Sequence, residues 1–208
     1  MLVGENHNPS ILNPDFLWRN RIVPENLELD DNIASMSSPI KSQCAFKNGM
    51  KIISEANRIV FSQDNPEENN FCHEIAQKYL KTVPLVRYTA IGINFVGSFP
   101  VSNGNQALRN MLRSGEWDKF EDTVSLPEIS LTYSLADRNV TLIISAIDKK
   151  NTSKSEGEVL VRGNFHRDIQ AEQGESHRVA ITMVDDWESD LKCYKELIQT
   201  IARGTKNQ

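Results

Sequence analysis

No apolar run in this sequence approaches the ~18 residues that a membrane-spanning helix needs. The opening stretch, MLVGENHNPSILNPDF, carries neither the basic nor the apolar segment of a secretory leader. Cysteine is scarce and odd in number. Cys44, Cys72 and Cys193 stand far apart, which excludes a disulfide framework and fits free thiols in a reducing compartment. Basic residues never run beyond two, and 28 acidic against 23 basic side chains leave a net charge of −5. The chain therefore lacks the lysine and arginine clusters that release counterions from nucleic acid. Aromatics, at 7%, are too few for a base-stacking platform. Glycine-rich phosphate loops, nucleophile elbows and metal-binding Cys/His spacings are all missing. These absences predict a cytoplasmic protein that takes no cofactor, binds no metal or membrane and leaves nucleic acid alone. No motif specifies a family.

Charged residues make up 25% and hydrophobic residues 39% of the 208, a balance that supports a packed domain rather than disorder. Residues 1–38 hold one helical signal: Asn13 followed by Pro14, a cap and first-turn pair, predicts a short helix from 14 to about 20. Residues 21–38 show no period and read as a loop wrapped on the body.

From residue 39 the pattern sharpens. Ile40, Ser42, Cys44 and Phe46 alternate with Lys41, Gln43, Ala45 and Lys47, a period of two. Asn48-Gly49 then predicts a type I′ hairpin turn, and the chain returns through IVFS, giving a three-stranded meander over 39–62. The segment NFCHEIAQKYLKTV has the 3.6-residue period of an amphipathic helix over 70–83, with Asn69 or Asn70 as its cap. Phe71, Cys72, Ile75, Ala76, Tyr79, Leu80 and Val83 share one half of its wheel. His73, Glu74, Gln77, Lys78 and Lys81 share the other. Cys72 and His73 therefore diverge, and cannot act as nucleophile and base or hold one metal.

Pro84 ends that helix. LVRYTAIGINFVGSF is apolar on both parities and reads as a central strand covered on both faces, with Gly92 and Gly97 marking a bulge or a close backbone approach. GNQALRNMLRSG follows as a helix with Leu108, Met111 and Leu112 on one face and Gly115 closing it. A second meander starts near Glu128, where Ile129, Leu131, Tyr133 and Leu135 alternate with Glu128, Ser130, Thr132 and Ser134. It turns at ADRN and, after a polar loop, ends in EVLVRGNFHRDIQ. Residues 177–184 allow a short strand through Val179, Ile181 and Met183. In the last helix Trp187, Leu191, Tyr194, Ile198 and Ile201 form a seam, acidic residues crowd the N-terminus, and Arg203 and Gly204 close it.

The predicted fold is α+β: a mostly antiparallel sheet of about seven strands, two meanders plus a central strand, with amphipathic helices packed on one face. Residues 1–38 form an N-terminal segment and 39–208 a single domain. Within that domain, 39–84 and 123–204 repeat the same meander–helix order as a pseudo-repeat.

One row of side chains has the vocabulary of proton transfer. On the last strand Arg162, Asn164, His166 and Asp168 share a face, at about 6.6–7 Å spacing, and that face continues through Glu128, Ser130, Thr132 and Ser134 on a neighbouring strand. As a site, His166 would carry the proton, Asp168 would support it and Arg162 would clamp an anion. As a surface, the row is simply the wet side of a half-exposed sheet. The C-terminal seam, with Trp187 and Tyr194, either docks on the chain's own sheet or pairs with a second helix in a dimer. The expected function is a non-catalytic protein–protein interaction or assembly role, self-associating or within a hetero-complex, with Arg162, Asn164, His166, Trp187 and Tyr194 as binding residues. The alternative is a small-substrate enzyme that uses Arg162, His166 and Asp168.

Overall fold

A computed structural model describes residues 1–64, 71–111, 128–148, 157–172 and 174–206. The chain opens with β1 (Leu2–Glu5) and α1 (Pro14–Arg19), then the meander β2 (Lys41–Ala45), β3 (Met50–Glu55) and β4 (Arg58–Gln63). Helix α2 (Cys72–Thr82), the long strand β5 (Arg87–Val101) and α3 (Gly104–Met111) follow. The second meander is β6 (Glu128–Ser134), β7 (Asn139–Asp148) and β8 (Gly157–Asp168), before α4 (Ser176–Asp185) and α5 (Trp187–Lys206).

The fold is α+β with one antiparallel sheet of eight strands in the order β2-β3-β4-β1-β5-β8-β7-β6. Each meander starts on an edge and steps inward, and β5 lies centrally. The strand beyond the expected seven is β1, four residues long, which pairs with both β4 and β5. So short a strand shows no legible alternation; its neighbours on both sides define it.

By packing, the chain divides into two compact units, Met1–Ile93 with His166–Trp187, and Asn94–Phe165 with Glu188–Gln208. The core of the first gathers Leu2, Leu17, Phe46, Met50, Ile52, Ile59, Tyr79, Tyr88 and Ala180. Helix α1 starts as its sequence dictates, with the Asn13 side chain accepting from Phe16 N at 2.9 Å. Helix α2 buries Ile75, Ala76, Tyr79 and Leu80, the apolar half of its wheel. Its N-cap is Phe71, without a side-chain cap bond; the expected caps Asn69 and Asn70 lie outside the described residues.

Four local expectations are corrected in the first unit. The turn at Asn48-Gly49 is not type I′. Gly49 N donates to Phe46 O at 3.0 Å and only Gly49 has positive φ, +82°, so the loop is a type I turn closed by a left-handed glycine. Ile40, expected to face inward, is 81% exposed because β2 begins only at Lys41. Residues 177–184 form helix α4, not a strand: Ser176, Ala180 and Val184 are buried, while Arg178 and Thr182, which a strand would put on the same face, are exposed. Finally, β5 is covered on both parities only at its start, from Tyr88 to Gly92.

In the second unit, β5 continues with plain alternation: Asn94, Val96, Ser98 and Pro100 are exposed. Leu108, Val140, Leu142, Ile144, Val159, Val161 and Phe165 build the core, and α3 packs on β7. The expected α3 residues Leu112 and Gly115 lie outside the described residues. Helix α5 runs through Arg203 and Gly204 to Lys206, so that glycine does not close it. Among the described residues, no helix is long and apolar enough to cross a membrane.

Candidate functional site

The row on β8 falls on the solvent side, as its polarity requires, while Val159, Val161, Gly163, Phe165 and Arg167 are buried on the other parity. Its members divide between the two units. In the first, His166 Nε2 lies 3.1 Å from Asp168 Oδ1, with side chains 37% and 71% exposed. In the second, Asn164 Nδ2 donates to Asn94 Oδ1 at 2.6 Å, and Arg162 is exposed. The strand beside β8 is β7, not β6, so Glu128, Ser130, Thr132 and Ser134 do not adjoin the row as expected.

Cys72 and His73 diverge. Cys72 Sγ meets Met50 Sδ at 3.7 Å, and burial pushes its thiol pKa up to about 11. The His73 ring stacks on Trp187, 4.8 Å between centroids and 21° between planes. His73 thus leaves the fully wet side where its wheel position put it. His7, one of four histidines without metal spacing in the sequence, carries no sequence signal of burial. It is 7% exposed, sits edge-on to Tyr88 at 5.8 Å and has no hydrogen-bond partner on either nitrogen. Burial lowers its pKa.

Tyr194 is buried within the second unit. Its hydroxyl donates to Val161 O at 2.6 Å, its ring stacks on Phe95 at 5.2 Å, and burial raises its phenol to about 12. The C-terminal seam meets strands of its own unit here. Asp190, expected to serve only the helix dipole, is fully buried, and its Oδ1 lies 3.1 Å from Arg138 Nε in the β6–β7 turn.

The two edges of the sheet are treated differently. Outside β2, Leu29 bridges Phe46 and Met36 bridges Gln43, so part of that edge is covered. Strand β6, at the other end, pairs among the described residues with β7 alone, through seven regular pairs from Glu128↔Ser145 to Ser134↔Asn139. Leu135 N donates to Arg138 O at 2.8 Å where the hairpin closes. Hydrogen-bonded and open pairs alternate along an antiparallel ladder, so Ile129, Leu131 and Tyr133 turn their backbone groups toward β7. Ser130, Thr132 and Ser134 turn theirs outward. Across the open pairs, where side chains come closest, Thr132 Oγ1 meets Thr141 Oγ1 at 3.2 Å and Ser134 Oγ donates to Asn139 Oδ1 at 2.7 Å.

Sheet edges are commonly blunted by lysine, proline or a bulge. EISLTYS contains neither residue, and its pairing with β7 shows no register shift. Leu131 is 49% exposed. Beside it a cavity of about 390 Å³ is lined by Met111, Ile129, Leu131, Ile144 and Ile201. The lack of lysine and proline is legible in the sequence; that this strand lies at an edge is not.

No protein-family model matches this chain, and neither a curated protein nor a solved structure does.

Proposed function

We propose that the protein acts by binding protein, as a self-associating or hetero-complex assembly component, and that the outer edge of β6 is its contact. The observation that carries this reading is a seven-residue strand that pairs, among the described residues, with β7 alone, regularly and without lysine, proline or bulge, its alternate backbone groups directed away from β7. Such an edge is a template for another strand, because main-chain hydrogen bonds supply affinity whatever the side chains. The half-exposed Leu131 and the adjoining apolar cavity add surface that a partner would remove from water. Cys44, Cys72 and Cys193 form no disulfide, which supports a reducing compartment such as the cytoplasm as the setting.

Amide hydrogen exchange tests the proposal with an internal control. The amides of Leu131 and Tyr133 face β7 and should be protected at any concentration. Those of Ser130, Thr132 and Ser134 should exchange fast in dilute protein. They should slow at least about tenfold at high concentration or in extract of the source cell. Fast exchange of these three under every condition would refute the reading.

One observation favours a second reading. The His166–Asp168 hydrogen bond is the arrangement that fixes an imidazole for proton transfer, and would suit a small polar or anionic substrate. Titration with small anions, followed by NMR, tests it: saturable shifts centred on His166 support an enzyme, and their absence removes it.

A further inference from the structure

We infer that the occupant of the β6 edge is β6 of a second copy, paired antiparallel about a two-fold axis through Leu131. The inference rests on the interaction reading above and adds the partner and the register.

The backbone restricts the register first. Outward-facing groups belong to even-numbered residues, so an added strand must set even against even. For two copies of one strand, only a two-fold centred on a residue does this. Of the possible centres, Leu131 alone engages all seven residues from Glu128 to Ser134.

The side chains then match themselves. Ser130 falls opposite the second copy's Thr132, Ile129 opposite its Tyr133, and Leu131 opposite its own counterpart. Apolar meets apolar on one face and hydroxyl meets hydroxyl on the other, the kinds of pair that stabilise sheets. Glu128, the one charge on the strand, falls opposite Ser134. The two Glu128 residues end about 20 Å apart along the strand, at ~3.4 Å per residue. That is more than twice the ~8 Å screening length at physiological ionic strength, so they do not oppose association. A contact of this kind is isologous and closed, giving a dimer and not a fibre.

The register makes Leu131 face itself, and charge at that position tests it. Leu131→Lys and Leu131→Glu each place like charges directly opposite, which should weaken the dimer on the order of tenfold or more. By light scattering each variant alone should therefore run at the chain mass, and their equimolar mixture at twice that mass. Rescue by mixing also shows that both variants fold. Leu131→Cys should oxidise to a covalent dimer, because the pair on the axis is an open one with short Cα separation. Ser134→Cys should not. A wild-type dimer that survives Leu131→Lys, or a mixture that stays at the chain mass, overturns this pairing yet leaves the assembly reading in place. A monomeric wild-type protein whose outward β6 amides never gain protection overturns both.

Discussion

The ring of Tyr194 lies against Gly163. A Cβ built on that glycine would sit 2.8 Å from Tyr194 Cδ2, and one on Gly97 would sit 3.1 Å from the Tyr194 oxygen. Helix α5 is thus seated on its strands through a side chain that needs bare backbone beneath it. Gly163→Ala must push the buried ring away and should destabilise the protein by about 1–3 kcal/mol, the range for overpacking. Tyr194→Phe keeps the ring and loses the bond to Val161 O, costing about 0.5–1.5 kcal/mol, the net range for one hydrogen bond. Urea unfolding midpoints measure both, with Gly174→Ala unsuitable as a control because Gly174 has φ of +86°.

Asp190 and Arg138 form the second anchor. With Asp190 fully buried and Arg138 14% exposed, Asp190→Ala takes the buried carboxylate from a guanidinium that still pairs with the exposed Asp137, 2.8 Å from its Nη1. The expected loss is about 1–3 kcal/mol. The double variant Asp190→Ala, Arg138→Met should lose less than the sum of its singles, and a double-mutant cycle by chemical denaturation reads the difference. Additivity would show that the pair does not hold the β6–β7 turn.

Stability should fall at both ends of the pH scale. Burial holds the Cys44 and Cys72 thiols at about 11, from an ordinary 9.0, and raises Tyr79 and Tyr194 to about 12 from 10.0. Between those limits the unfolded chain releases protons that the folded chain keeps, so stability drops as pH rises from about 9 to 12. His7 works in the opposite direction. Its folded pKa lies below the ordinary 6.5, so the unfolded chain takes up the proton first and stability falls as pH drops below about 6.5. His7→Phe should reduce that acid loss and, because it removes an unsatisfied buried imidazole, cost little at pH 8. Denaturation midpoints from pH 5 to 11 test both limbs.

Sequence legibility follows burial. Where one face is wet and the other dry, as in α2 and β3, the period alone locates the element. It failed where tertiary contacts decide. Strand β1 is too short for a period, and α4 carries Val179, Ile181 and Met183 at a strand-like spacing while burying Ser176, Ala180 and Val184. Asp190 was hidden among acidic neighbours at a helix start, where charge is expected on dipole grounds, although its actual counterpart lies far away in sequence. The β8 row was legible as a polar face. The outer edge of β6 was not, because strand order arises from long-range pairing that no local pattern encodes.

The central claim is that β6 offers its edge to a second copy of itself. The most direct measurement is the solution mass of the unmodified protein by light scattering across a concentration series. Pairing through β6 raises the mass from one chain to twice that value and no further. A mass that stays at one chain throughout, or that climbs without limit, would contradict it.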